Sequence, residues 1–217
     1  MNKSHDHPGW KQTRSEIFWG EIAPCDHVLQ IYDSDEIFMD ALAGFVGAGI
    51  NAGECCIVIA TEVHLRALEK KLSSFGIQIR DLISEKRYMP YDAEETLNAF
   101  MVDGWPDEKL FEKTIHELLS RVPEGRKVRA FGEMVAILWA KGFSGATVRL
   151  EHLWNEFCEK ETLGLFCAYP KAGFTTDINQ SLLHICGSHS RMISGSERQM
   201  INILYKNLDA DDPVYLP

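Results

Sequence analysis

The amino-acid sequence predicts an α/β fold, with a mostly parallel sheet and helices on both of its faces. Short strand-like segments alternate with amphipathic helical segments over most of the chain, an order typical of parallel strands joined by crossover helices. The segment 55–60, CCIVIA, is apolar throughout, as expected for a strand covered on both faces. With 217 residues, of which 45% are hydrophobic, the chain can bury one core of ordinary size.

Five strands are predicted by runs of β-branched or alternating apolar residues. They cover residues 27–32, 55–61, 87–91, 127–131 and 164–169. Helical periodicity and capping residues separate these strands. The acidic run 33–36 caps a helix that ends at Gly53, and Thr61 caps a helix that ends at Gly76. Further helical stripes cover residues 97–119, 134–141 and 146–157.

The two ends of the chain differ from its middle. Residues 1–16 are polar and aperiodic, and they predict a flexible leader. Residues 17–193 form one predicted domain, whose last part we expect to be helical because apolar residues recur there at helical spacing. These residues are Ile178, Leu182, Ile185 and Met192. Residues 194–217 are expected to hold a further helix, capped by Ser196, and a tail.

The charge balance argues against several classes of partner. The chain has 22 Lys and Arg against 32 Asp and Glu, which gives a net charge of −10. Such a surface repels phosphate backbones and anionic lipids, so we expect no direct contact with nucleic acid or membranes. No apolar run approaches the length of a membrane-spanning helix, and the first residues lack an apolar signal core. We therefore expect a cytoplasmic protein.

The six cysteines indicate neither disulfides nor a metal centre. Most of them lie in apolar segments, where thiols are ordinary core residues, and no paired CxxC spacing occurs. Cys186 and His189 are three residues apart and would share a helix face, a geometry compatible with a metal ion. Because no second ligand pair is visible, the sequence predicts no metal and no cofactor.

Several segments together resemble one family of sensory domains. They are WGEIAPCDHVLQIYDSDEIFMDALAGFVGAGINAGECCIVIAT, YDAEETLNAFMVDGWPD, VRAFGEMVAILWAKG, RLEHLWNEF, CAYP and HICGSHSR. In order and spacing they are similar to the MEDS family, which is named for methanogens, methylotrophs and the regulator of dichloromethane dehalogenation. The resemblance implies a cytoplasmic sensory domain that binds a small, apolar organic molecule.

Members of that family are often attached to a histidine kinase or a DNA-binding domain. Neither attachment is visible in this sequence, so we expect signalling through contacts with a separate histidine kinase or transcription regulator. A homodimer is also compatible with the sequence.

A more distant resemblance is to the RecA/KaiC-like ATPases, which implies a three-layer sandwich. The segment CIVIATEVHLRALEKKLSSFGIQIRDLISEKRYMPYDA looks like their strand, helix, strand passage, and Glu62 takes the place of the carboxylate that would activate water. ATP binding in that fold needs a glycine-rich loop after the first strand. Here the loop reads Tyr32-Asp33-Ser34-Asp35-Glu36, so the sequence predicts that ATP binding is lost. The alternative to a sensory domain is a degenerate nucleotide-binding or hydrolytic domain of this class.

Candidate ligand-binding residues follow from the rule that open parallel sheets bind ligands beyond the carboxyl ends of their strands. We include the side chains at these ends and two tryptophans on apolar helices. The candidates are Tyr32, Asp33, Ser34, Thr61, Glu62, Asp92, Glu133, Trp139, Trp154 and Tyr169.

Some of these candidates also suit structural roles. Asp33, Thr61 and Asp92 stand where helix caps belong, and Trp139 and Trp154 suit core positions. Glu133 suits either a ligand contact or a helix start. No nucleophile elbow, metalloprotease motif or dinucleotide fingerprint occurs, so the sequence nominates no catalytic residue.

Overall fold

An eight-stranded sheet forms the centre of the computed structural model, which describes residues 10–13, 19–171, 180–195 and 202–206. The strands are β1 (Trp10–Thr13), β2 (His27–Tyr32), β3 (Cys55–Ala60), β4 (Tyr88–Asp92), β5 (Met101–Val102), β6 (Trp105–Pro106), β7 (Val128–Gly132), β8 (Gly164–Pro170), β9 (Arg191–Gly195) and β10 (Asn202–Lys206). The helices are α1 (Asp35–Asn51), α2 (Glu62–Ser74), α3 (Ile79–Ser84), α4 (Ala93–Asn98), α5 (Glu108–Leu119), α6 (Met134–Ala140), α7 (Ser144–Glu161) and α8 (Gln180–Gly187). Strands β5 and β6 form a separate small hairpin.

The strand order of the sheet is β1-β10-β9-β2-β8-β7-β3-β4. The six strands from β9 to β4 run parallel, and β10 and β1 add an antiparallel edge. In the centre, His27 pairs with Leu165 and Leu29 with Cys167, which places these side chains on one face. The prediction of an α/β fold with a mostly parallel sheet is confirmed.

Helices cover both faces of the sheet. Helices α1, α2 and α3 pack on one face, where they meet side chains such as Cys56 and Val58 of β3. Helices α4 to α8 pack on the other face against the alternate residues of that strand, such as Ile57 and Ile59. The result is the predicted three-layer sandwich with an apolar core on each side of the sheet. None of the described helices combines the length and the apolar character required to cross a bilayer.

The end of the chain differs from the sequence prediction. Helix α8 ends at Gly187, and Met192, expected on its apolar face, lies in β9, which pairs with β2. The segment 202–206, expected to be helical, is the strand β10. Isoleucine, leucine and tyrosine at its centre fit a strand, and pairing with β9 supplies backbone hydrogen bonds that local periodicity does not reveal. The predicted cap Ser196 lies outside the described residues.

Other short elements are also absent from the sequence prediction. Strand β1 lies within the segment predicted as a flexible leader and pairs with β10. Helix α3 lies in a segment without a predicted element, and the β5–β6 hairpin lies within the segment 97–119, which is predicted to be helical. These elements are each six residues or shorter, too short for a clear periodicity.

A buried arginine ties α1 to the sheet. Arg129 on β7 is 3% exposed, and its Nε donates a hydrogen bond to Glu54 Oε2 over 2.5 Å. Its Nη1 donates to the backbone carbonyls of Trp19 and Phe45 at 3.2 and 3.0 Å. A Cβ atom at Gly49 of α1 would lie 2.6 Å from Arg129 Cδ. The glycine therefore permits the close approach that lets the buried guanidinium reach its partners.

We expect Gly49→Ala to lower the free energy of unfolding by about 1–3 kcal/mol, because the added methyl group would overpack against Arg129 and Cys56. Gly47→Ala on the same helix is the matched control, since nothing lies within 4 Å of its Cβ position. Alanine's higher helix propensity should stabilise that variant by up to about 1 kcal/mol. Urea unfolding followed by circular dichroism measures both values. Equal stability of the two variants would contradict the close packing at Gly49.

Candidate functional site

The carboxyl ends of the parallel strands lie along one edge of the sheet, and several predicted site residues meet there. Tyr32 ends β2, Thr61 directly follows β3, and Glu133 directly follows β7. Ile59 pairs with Gly132, and this register brings the ends of β3 and β7 side by side. We call this group of side chains, with His64 from α2, the edge site.

Glu133 is the centre of the edge site. Its carboxylate accepts hydrogen bonds from the Thr61 backbone N–H at 2.8 Å and from the Thr61 hydroxyl at 3.2 Å. Its other oxygen lies 2.8 Å from His64 Nδ1. Thr61 thus directs its side chain to Glu133, and as N-cap of α2 it makes no side-chain capping bond. Glu133 is 8% exposed, so these donors also satisfy a carboxylate that has lost most of its water.

The hydrogen bond from His64 has an electrostatic consequence. It raises the pKa of His64 above the usual value, although partial burial works in the opposite direction. Contact with Glu133 therefore favours the imidazolium form of His64.

Aromatic rings line the other side of the edge site. Tyr32 stacks on Phe38 of α1 with ring centroids 4.8 Å apart, and Phe38 meets the His64 ring edge-on at 5.1 Å. Burial, with the charges of Glu133 and Asp35, raises the pKa of Tyr32 above its usual range, which keeps the phenol neutral. The edge site therefore combines a positioned carboxylate with a neutral aromatic wall, whose rings, Tyr32 and Phe38, are only 7% and 1% exposed.

The other candidates at the strand ends have local partners. Ser34 caps α1 by accepting a hydrogen bond from the Ile37 backbone N–H at 3.4 Å, and Asp92 caps α4 in the same way through Glu95 at 2.9 Å. Asp33 forms an ion pair with Lys171 at 2.9 Å. Glu62 is exposed and forms an ion pair with Arg66 one turn along α2. Each of these contacts is an ordinary capping or surface interaction.

The remaining candidates lie on the face of the sheet covered by α6 and α7. Tyr169 is fully buried, and its hydroxyl donates a hydrogen bond to Glu151 of α7. The Trp139 ring stands edge-on to Tyr169 at 6.4 Å. Trp154 is 1% exposed and packs edge-on against Phe111 at 5.0 Å, which is a core position.

A second polar group, which the sequence analysis missed, lies beneath this face. We call it the interior cluster, and its members are His27, Glu151, Cys167 and His189. One potential ligand atom from each residue lies within 4.8 Å of all the others, and all four residues are buried. His27 Nε2 is 3.3 Å from Cys167 Sγ and 3.5 Å from Glu151 Oε2. His189 Nε2 also lies 3.5 Å from Glu151 Oε2.

Burial sets the protonation of the interior cluster. It raises the pKa of Glu151 to about 8, against the hydrogen bond from Tyr169, which lowers it. It lowers the pKa of His189 to about 4 and, with the proximity of His189, holds the pKa of His27 well below its usual range. At neutral pH the two imidazoles are therefore neutral, and the carboxyl group is mostly protonated.

A small cleft opens at the opposite edge of the sheet. Ala23, Glu54, Lys127 and Thr162 are among the residues that line it, and its volume is about 30 Å³. That space suits a water molecule rather than an organic ligand.

Comparison with known proteins gives a family and a fold. The model of the MEDS family, described as the MEthanogen/methylotroph, DcmR Sensory domain, matches residues 26–190. The crystal structure of a KaiC-like protein from the hyperthermophilic archaeon Pyrococcus horikoshii OT3 superposes with a TM-score of 0.58 at 13% sequence identity. The superposition covers 87% of this chain and 82% of that chain, and the likeness shows the fold. No curated protein matches the sequence.

We expect Glu133→Gln to lower the pKa of His64 toward about 6.5, because the variant removes the carboxylate that favours the imidazolium. The folded-state pKa of His64 is raised, so its contact with Glu133 stabilises the wild type fully below about pH 6.5. This contribution is lost as the pH rises through the folded-state pKa. Titration of the histidine ring signals by NMR measures the change. Glu62→Gln is the control, since Glu62 pairs with Arg66, and an unchanged His64 titration in Glu133→Gln would contradict the contact.

Proposed function

The chain belongs to the MEDS family of sensory domains, and from this premise we propose that it binds a small, largely apolar organic molecule at the edge site and signals through protein contacts. The observation that carries this proposal is the stacked pair of Tyr32 and Phe38 beside the carboxylate of Glu133. Apolar walls with a few positioned polar groups are typical of small-molecule sites.

The hydrogen bonds of the edge site favour binding over catalysis. Glu133 is held by the backbone and hydroxyl of Thr61 and by His64, so its position is fixed by donors from α2. A ligand that offers one hydrogen-bond donor can compete with His64 for this carboxylate. Its apolar part would then lie against the aromatic wall.

Helix α2 offers a route from binding to signalling. The start of this helix is hydrogen-bonded to Glu133 through Thr61 and His64, and Val63 in its first turn is 74% exposed. A ligand that loosens these bonds would shift the first turn of α2 and with it this exposed surface. We propose that a separate histidine kinase, a transcription regulator or a second copy of the chain reads this change.

A thermal-shift screen tests the ligand class with short-chain alcohols, which can donate a hydrogen bond to Glu133, and with halogenated and aromatic hydrocarbons, which could contact only the aromatic wall. A true ligand at a hundred times its dissociation constant should add about 2.7 kcal/mol to the free energy of unfolding. Tyr32→Leu should remove most of this gain, because it deletes the ring that stacks on Phe38. Tyr91→Leu, at the end of β4, is the matched control and should keep the gain. Equal gains in both variants would place the binding site elsewhere.

A degenerate nucleotide-binding or hydrolytic domain is the alternative function, and the likeness in fold to a KaiC-like protein supports it. The connection between β2 and α1 weighs against it. This connection consists of Asp33 and Ser34, and the Ser34 hydroxyl already caps α1. Asp35 and Glu36 follow in the first turn of the helix, where their negative charges would repel the phosphates of a nucleotide.

We therefore expect no magnesium-dependent hydrolysis of ATP. A coupled assay for released phosphate measures this activity in the wild type and in Glu62→Gln. Turnover in the wild type that disappears in Glu62→Gln would support the alternative function, as would an organic hit that the protein consumes over many turnovers.

A further inference from the structure

We propose that the interior cluster is a binding site for a divalent transition metal ion of the zinc class, held by His27, Glu151, Cys167 and His189. Imidazole nitrogen, thiolate sulfur and carboxylate oxygen are the ligands that Zn²⁺ takes in proteins. The site lies inside the layer between the sheet and α7, apart from the edge site, and its existence does not depend on the proposed sensory function.

The spacing of the four residues fits tetrahedral coordination. Zinc bonds of about 2.0–2.1 Å to nitrogen and about 2.3 Å to sulfur, at tetrahedral angles, separate ligand atoms by about 3.3–3.6 Å. The separation of His27 Nε2 from Cys167 Sγ is 3.3 Å, and both histidine Nε2 atoms lie 3.5 Å from Glu151 Oε2. The remaining pairs are within 4.8 Å. The two imidazole rings have centroids 3.9 Å apart, so the rings must spread for both Nε2 atoms to reach one ion.

Two ligand atoms of this cluster have no hydrogen-bond partner among the described residues. Glu151 Oε2 and His189 Nε2 are buried and unsatisfied, although both side chains are almost completely enclosed. Other buried polar atoms of the described residues, such as Gln30 Oε1 and the Tyr88 hydroxyl, also lack a partner. Glu151 Oε2 and His189 Nε2, however, lie only 3.5 Å apart. A metal ion at the centre of the cluster would satisfy both atoms at once.

The atoms of these residues that face away from the centre of the cluster form the hydrogen bonds that usually orient metal ligands. His27 Nδ1 lies 3.2 Å from the Ser188 carbonyl oxygen, and His189 Nδ1 lies 2.5 Å from the Ile185 carbonyl oxygen. Carbonyl acceptors assign the ring proton to Nδ1, which leaves the Nε2 lone pair of each histidine for the centre. Glu151 receives the Tyr169 hydroxyl on its other oxygen, Oε1. These contacts orient three of the four ligands before a metal binds.

Charge favours a divalent ion. Binding of the metal ion would release the protons of Glu151 and Cys167 to solvent. The resulting carboxylate and thiolate, with the two neutral imidazoles, form a ligand set that carries two negative charges. A divalent cation neutralises these two charges. A site without net charge suits a fully buried position, because an unpaired charge there would be costly. Four protein ligands also fill a tetrahedral shell, which is typical of structural zinc sites rather than catalytic ones.

Titration of the chelator-treated, full-length protein with Zn²⁺ and Co²⁺ tests the proposal. We expect one equivalent of either ion to bind and to raise the melting temperature. The Co²⁺ form should show a sulfur-to-cobalt charge-transfer band and the intense visible bands of a tetrahedral site. No stoichiometric binding, or the weak visible spectrum of six-coordinate Co²⁺ without a charge-transfer band, would overturn the proposal.

Matched cysteine variants identify the thiol. Cys167→Ser should lose the charge-transfer band, whereas Cys186→Ser should keep it, because Cys186 lies outside the cluster. If Cys167→Ser does not fold, Glu151→Gln provides the same test, since it preserves side-chain volume and should weaken Co²⁺ binding at least ~10-fold. Glu133→Gln at the edge site should leave metal binding unchanged. Retention of the band in Cys167→Ser, or its loss in Cys186→Ser, would overturn the assigned ligand set.

Discussion

Water is excluded from both faces of the parallel sheet, and the positions of the polar groups follow from this constraint. The six residues of β3 are between 0 and 3% exposed, so their side chains meet only protein on either face. A polar group buried there without a partner costs about 1–3 kcal/mol. Charged side chains near the sheet therefore lie at its edges or in groups that supply partners. Arg129, Glu133 and Glu151 each lie in such an arrangement. The neutral Gln30 of β2, by contrast, is buried with its Oε1 unpaired among the described residues.

The two polar sites meet this constraint to different degrees. At the edge site, Thr61 and His64 supply the donors of Glu133, so the site is complete without a ligand and a ligand must compete for it. In the interior cluster, Glu151 has a donor for one oxygen and none among the described residues for the other. A partner for this oxygen must be small enough to enter the packed interior without moving the backbone. A metal ion is small enough, whereas an organic molecule is not.

Much of the frame could be predicted from the sequence because it depends on local pattern. Strand β3 is a continuous apolar run, and α1 and α7 are long enough for their apolar residues to show a clear helical period. The strands β9 and β10 could not be predicted because β9 pairs with β2 and β10 pairs with β1, and both partners are far away in the sequence. The contact of Glu133 with Thr61 and His64 could not be predicted either, because it joins residues that are far apart in the sequence. The sequence nominated two of these three residues as candidates. The sequence predicts that His189 shares a helix face with Cys186, three residues away, whereas the register of β2 and β8 pairs Cys167 with Leu29 and so places Cys167 on the same face as His27, 3.3 Å from its Nε2.

Strand β2 connects the two polar sites, and its rigidity separates their roles. His27 begins this strand and Tyr32 ends it, about 17 Å apart at 3.3 Å per residue. A strand paired on both sides and covered on both faces does not deform gradually, because packed interiors are dense. Under the proposed function, ligand binding at the edge site would therefore move the first turn of α2, which Thr61 and His64 join to Glu133, rather than the strand. The interior cluster joins β2, β8 and α7. It would keep these three elements fixed relative to one another while the first turn of α2 moves.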